Sequence, residues 1–174
     1  QRAGLAHLSA ERVAAELKRL LVAPKAYGAV EALFDYGLLS DILGGAPRLE
    51  RLQRLIATET ALDREPNATL RLAALSVFVA EDAPRLAARF KLSNAEQAVL
   101  ALGAYETSDA ALPGESAAKR LLYHLGRERY PLKVLLAWAS SAAAVEDAAW
   151  QSAFSLPERW QAPEFPLRGP DITA

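Results

Sequence analysis

The sequence predicts an all-α fold, an irregular array of about nine short helices with no sheet. Three observations carry this. Alanine (37) and leucine (29) make up over a third of the 174 residues, and both are strong helix formers. Valine, isoleucine and threonine together number only 16, which leaves little β-branched material for strands. Apolar residues also recur at three- and four-residue spacing between recognisable caps and breakers. No fixed repeat of roughly 33 to 45 residues runs through them, so a regular hairpin array is not expected.

The elements follow in order. Ser9 caps a first helix with Glu11 in its first turn and Val13, Leu17, Leu20 and Leu21 on one face. Pro24 ends it. A second helix runs from about Tyr27 to Tyr36, with Val30, Leu33 and Phe34 inward and Gly37 as its C′ residue. Leu38 to Leu43 is short and apolar, closed by Gly44-Gly45. Pro47 sits at a first helical position for a helix from Arg48 to about Leu62. Asn67 caps a helix to about Ala80 that is apolar nearly all round, the expected buried centre. Asp82 caps the next, which carries Arg85, Leu86, Arg89 and Phe90. Ser93 and Glu96 form a capping box for a helix to about Tyr105. Further helices span Glu115 to Leu125, ended by Gly126, and Pro131 to about Val145, followed by a short one from Asp147 to Phe154. The last stretch holds four prolines and reads as extended, docked by Trp160, Phe165 and Leu167.

Composition excludes several function classes. With no cysteine, disulfides, thiolate metal sites and cysteine nucleophiles are out. Two histidines are too few for a histidine-rich metal site, and His124 reads as structural or surface. No Asp-x-Asp pair, phosphate-binding glycine loop or serine–histidine pairing is present. The longest uncharged apolar stretch, Val134 to Val145, is shorter than the roughly 20 residues of a membrane span. No signal peptide is visible, so cytoplasm is the expected compartment. The absence of methionine suggests an excised piece of a longer protein. The net charge of −1 argues against an all-basic coat but leaves room for a local basic stripe.

The first helix, Glu11-Arg12-Val13-Ala14-Ala15-Glu16-Leu17-Lys18-Arg19-Leu20-Leu21, resembles the Glu-Arg-h-x-x-Glu-h-x-x-h-h motif (h apolar) in the neck of bacterial-type tRNA nucleotidyltransferases (CCA-adding enzymes) and poly(A) polymerases. Tyr36-Gly37-Leu38-Leu39 resembles the turn after it. Leu70-Arg71-Leu72-Ala73-Ala74-Leu75, followed by Leu92-Ser93-Asn94-Ala95-Glu96, resembles the body. Phe165-Pro166-Leu167-Arg168-Gly169-Pro170-Asp171-Ile172 resembles a segment of the tail. The resemblance covers the chain in order and implies three parts: 1–45 as the later neck, 46–130 as an RNA-binding helical body, and 131–174 as the start of a tail that ends early. It also implies an N-terminal catalytic head, absent from this sequence, that transfers CMP and AMP with Mg2+ and CTP or ATP. The chain itself would then be inactive and hold no cofactor. Its partners would be tRNA or another RNA 3′ end and its own head, with no membrane.

Within that resemblance, Glu11, Arg12 and Glu16 would brace the nucleotide-selecting helix; as residues alone they make a charged helix start. The RNA-contact candidates are three basic groups: Arg48, Arg51 and Arg54; Arg85 and Arg89; and Lys119, Arg120, Arg127, Arg129 and Lys133. Each group could instead be a solvated helix face, with Glu50, Glu59 and Glu128 close enough to neutralise part of it. The last group is favoured because Tyr123 and Tyr130 could stack or bond to sugar and phosphate. Trp138, Trp150 and Trp160 read as core or tail-docking residues. The alternative function is a helical protein-interaction module with no RNA role. It requires a contiguous exposed apolar patch.

Overall fold

In a computed structural model, residues 9–104, 112–141 and 143–161 are described. They form ten helices and, among the described residues, no strand: α1 (Ala10–Val22), α2 (Ala26–Asp35), α3 (Leu38–Leu43), α4 (Leu49–Ala61), α5 (Ala68–Ser76), α6 (Asp82–Phe90), α7 (Asn94–Ala101), α8 (Glu115–Ser140), α9 (Ala148–Phe154) and α10 (Leu156–Arg159). The all-α expectation holds. His7, Tyr105, the 106–111 loop and the tail motif at 165–172 lie outside the described residues.

Local chemistry sets the helix starts. Ser9 accepts from the Arg12 amide at 3.3 Å and Asn67 from the Leu70 amide at 2.9 Å. Ser93 and Glu96 make the expected reciprocal capping box. Asp147 accepts from the amides of Ala149 and Trp150. Each such cap contributes about 1 kcal/mol. Gly37 turns the chain after α2 at φ 68, in the left-handed region that glycine enters without strain.

Several boundaries differ from expectation. Pro47 precedes the helix, because the Arg48 amide leaves the helical path to donate to the Leu75 carbonyl at 2.7 Å. α5 stops at Ser76, short of Ala80, since Asp82 takes the amides of Phe78 and Val79 into a turn. Asp82 therefore closes the turn before α6 and bonds Arg85, while the cap residue itself is Glu81. α8 runs on through the expected start at Pro131 and ends at Ser140 instead of Val145. Its helical dihedrals break at Gly126 (φ 73, ψ 170), so α8 is two helices meeting at a kink and the expected stop at Gly126 is present.

Two apolar clusters hold the array. The larger is built around α5, whose Leu70, Leu72, Ala73, Ala74 and Leu75 are each at most 1% exposed. α1, α4 and α7 pack against it, and α4 also packs along α8. The second joins α8 to α9 and α10 through Tyr130, Val134, Trp138, Trp150 and Leu156. Trp138 and Trp150 stack at 5.8 Å, as befits core residues, and Trp160 packs at this cluster's edge. Each fully buried leucine contributes about 1.5 to 3 kcal/mol. Phe34, expected inward, is instead 44% exposed.

One buried ion pair crosses the larger cluster. Arg71 donates to Glu59 at 2.7 Å and to the Leu21 carbonyl, with both charged groups nearly sealed from water. Burial raises the Glu59 pKa, partly countered by Arg71.

Candidate nucleic-acid interface

Arg48, at the cap of α4, and Arg51 and Arg54 within it have three different fates. Arg51 is buried and donates to the carbonyls of Val77 (2.9 Å), Gly103 (3.0 Å) and Leu136 (3.5 Å). These carbonyls belong to the segments leaving α5 and α7 and to α8. Arg51 is therefore removed from the RNA-contact set: its fork is used by three backbone segments. Burial, and then the neighbouring charge of Arg48, lower its pKa to about 10. Arg54 is exposed, donates to the Ser141 carbonyl at 2.8 Å, and lies 3.8 Å from Glu50. Arg48 is half-buried, with its guanidinium carbon over the Phe78 ring, 3.5 Å from its centroid. It makes no side-chain hydrogen bond among the described residues.

Arg85 and Arg89 cap α3. Arg85 donates to the carbonyls of Leu43 and Gly44, and Arg89 to those of Ile42 and Asp41. These are the orphan carbonyls of a helix C-terminus, where cations are favoured. Gly44 is needed for this approach: it sits at φ 67, and a Cβ there would come 3.2 Å from the Arg89 guanidinium. Both arginines are exposed, and these bonds use only part of each fork: Arg85 Nε and Arg89 Nη1 have no hydrogen-bond partner among the described residues.

The third basic group divides. Lys133 is buried and donates to the carbonyls of Leu102 and Ala104, so it leaves the RNA-contact set. Tyr130 leaves with it: its ring is 0% exposed and its hydroxyl donates to the Ala153 carbonyl at 2.6 Å. Burial pushes its pKa up to about 12. Arg120, Arg127 and Arg129 are exposed, with no ion-pair or hydrogen-bond partner among the described residues. Tyr123 is 54% exposed, edge-on to His124 at 5.6 Å. Lys119 is half-buried, pairs with Glu115 at 2.8 Å and lies 5.8 Å from the Trp160 ring.

On α1, Glu11 pairs with Lys91 at 2.7 Å and Glu16 with Arg19 at 3.0 Å, both in solvent. The Arg12 side chain is exposed at the rim of a small apolar hollow of about 200 Å³ floored by Val13, Leu20, Leu33 and Ile42. Other large exposed apolar residues (Val22, Phe34, Val79) are scattered along the chain.

The periodicity reading missed an open groove of about 570 Å³ between α2, α4 and the end of α8. Tyr27 and Phe34 line it from α2, and Arg48, Arg51 and Arg54 line it from α4 and its cap, with Arg51 buried. Burial, and then the Glu31 charge, raise the Tyr27 pKa. The available signal was the seven-residue spacing of Tyr27 and Phe34, two turns along one helix face. Among the described residues no group of three or more histidine, aspartate or glutamate side chains is placed to hold a metal. No described helix is long and apolar enough to cross a membrane.

Unpaired surface arginines and a groove holding both arginines and aromatic rings are features compatible with contact to nucleic-acid backbones and bases. Residues 1–52 match the family model described as the probable RNA and SrmB-binding site of polymerase A. The matched residues span α1, α2, α3 and the start of α4, less than a third of the chain. No curated protein matches the chain.

Proposed function

We propose that this chain is the RNA-holding part of a tRNA 3′-end nucleotidyltransferase or its poly(A)-adding relative. Its helices grip the RNA while a separate head performs the transfer with Mg2+ and CTP or ATP. The observation that carries this is the match of residues 1–52 to an RNA-binding family model. The surface is compatible with it. Arg120 before the Gly126 kink of α8 and Arg127 and Arg129 after it present free guanidinium groups, and the ring of Tyr123 is exposed on the first side. Lys119 flanks Arg120. Contacts of this kind fix register through phosphates and shape. Positioning is itself catalytic for the parent enzyme, because a displacement of about 1 Å at the reacting end costs on the order of a hundredfold. Glu11, Arg12 and Glu16 would face the head, with Arg12 beside the α1 hollow. A cytoplasmic location fits such a role.

The test is binding of labelled tRNA lacking its CCA end across a salt series. The expected result is saturable binding whose log K falls linearly with log salt. The double variant Arg127→Gln/Arg129→Gln should lower that slope by about 1 to 2 with melting temperature unchanged. Wild-type binding no stronger than that of an unstructured RNA of equal length would refute the tRNA-holding role and favour a protein-interaction module.

A further inference from the structure

The groove between α2, α4 and the end of α8 differs in character from the exposed arginines of α8. Its basic side is ordered before any ligand arrives. The guanidinium carbon of Arg48 rests over Phe78, 3.5 Å from the ring centroid, which restrains the side chain, and its N–H groups have no acceptor among the described residues. A guanidinium carries five donors in a rigid fork suited to phosphate oxygens. Arg54 is held at one nitrogen by the Ser141 carbonyl at 2.8 Å, which likewise restricts its swing. The buried Nε of Arg51, which also lines the groove, has no hydrogen-bond partner. Three cations therefore line the groove against one lining carboxylate, Glu50, which is 89% exposed and only 3.8 Å from Arg54.

The α2 side is aromatic. Tyr27 and Phe34 lie two turns apart on α2 and both line the groove. Phe34 is 44% exposed, so an apolar ring faces water where the packing does not require it. The charge of Glu31 acts on Tyr27 and makes this side unfavourable for phosphate. The two sides are thus chemically opposed: one takes an anion, the other a flat apolar face. At about 570 Å³ the groove falls within the ordinary range of small-ligand sites, about 300 to 1,000 Å³.

We propose that this groove seats an unpaired nucleotide of a single-stranded RNA segment, its phosphate on Arg48 and Arg54 and its base stacked on Phe34 and Tyr27. The inference rests on the RNA-binding reading above and adds a strand-selective site to it. Aromatic stacking tolerates any base, and duplexed bases cannot reach the rings. The site therefore favours unpaired RNA without a strong sequence preference.

The experiment uses the full 174-residue chain with two labelled RNAs, a short single-stranded oligoadenylate and a blunt duplex of equal length. Affinity is followed by fluorescence anisotropy across about 50 to 200 mM salt. Phe34→Ala should weaken oligoadenylate binding about fivefold or more and leave duplex binding unchanged, while Phe34→Trp should retain affinity. Arg48→Gln should reduce the oligoadenylate salt slope by about 0.7 per lost phosphate contact. Circular dichroism melting checks that each variant folds, which Phe34, exposed and outside both cores, should permit. If oligoadenylate binds both variants as it binds wild type, the groove assignment is overturned. Binding of tRNA or duplex without any binding of oligoadenylate also overturns the groove while leaving the RNA-binding reading intact. Failure to bind any of these RNAs overturns both.

Discussion

Replacing Arg51 by methionine isolates the internal use of a cation. The side chains are of similar length, so the change removes the guanidinium more than the volume. In the native structure that group satisfies the carbonyls of Val77 at 2.9 Å and Gly103 at 3.0 Å, with a weaker approach to Leu136 at 3.5 Å. Two charge-assisted bonds contribute about 1.5 to 3 kcal/mol each. Removing the buried charge returns part of that, because dehydrating a guanidinium is itself costly. The net loss should be about 2 to 3 kcal/mol. For a chain of this size that lowers the melting temperature by roughly 5 to 10 °C. Thermal and urea unfolding followed by circular dichroism measure it, with Arg54→Met, on an exposed neighbour, as the control at under about 0.5 kcal/mol. A shift below about 2 °C for Arg51→Met, or equal shifts for the two variants, would refute the claim that Arg51 ties three segments together.

Three other outcomes are expected. Gly126→Ala should destabilise by about 1 to 3 kcal/mol although nothing lies within 4 Å of a Cβ there, because φ 73 with ψ 170 is accessible to glycine alone; an unchanged unfolding midpoint would count against this. Glu96, held at about pH 2 by Lys18 and then by the Ser93 amide, has a folded pKa below its unfolded one. Its contribution is complete above about pH 4.5 and lost as pH falls towards 2. Glu96→Gln should therefore flatten this acid limb by up to about 1 kcal/mol, and an acid limb identical to wild type would contradict it. Tyr130→Phe should cost about 1 to 2 kcal/mol by orphaning the Ala153 carbonyl. In spectrophotometric titration of the wild type, Tyr130 should resist ionisation until about pH 12; its ionisation near pH 10 would place it in solvent.

Signals that lie within one helix were legible in the sequence. Ser9, Asn67 and Ser93 act on amides three residues away, and Gly37 and Gly126 act on their own dihedrals, so each could be read without knowing what packs nearby. The all-round apolarity of α5 likewise required a buried centre. Arg51 could not be read this way. It lies three residues from both Arg48 and Arg54, and its burial depends on three carbonyls that converge only once α5, α7 and α8 are in place. Lys133 and Tyr130 share that dependence. The chain's abundant arginine is thus partly structural, serving loose carbonyl ends that short helices produce in quantity. Phe34 failed in the opposite direction: its spacing fits the inner face of α2, yet the ring lies on the groove side.

The break at Gly126 has a consequence for how the molecule opens. α8 has 26 residues, but its hydrogen-bond ladder is interrupted, so cooperativity does not pass along it as it would along an unbroken helix. The first half gives Ala118 and Leu122 to the second cluster and touches the larger one only through the partly buried Leu125, while the second half gives Leu135, Leu136 and Ala139 to the larger cluster and Val134 and Trp138 to the other. Amide hydrogens on the two sides of the glycine are therefore expected to exchange at different rates, which native-state hydrogen exchange measures. Those before it should exchange when the α9–α10 cluster loosens, whereas those after it should wait for the larger cluster to fail. Arg120, on the early-exchanging side, is then carried by a segment that can shift while α4 and α5 stay folded.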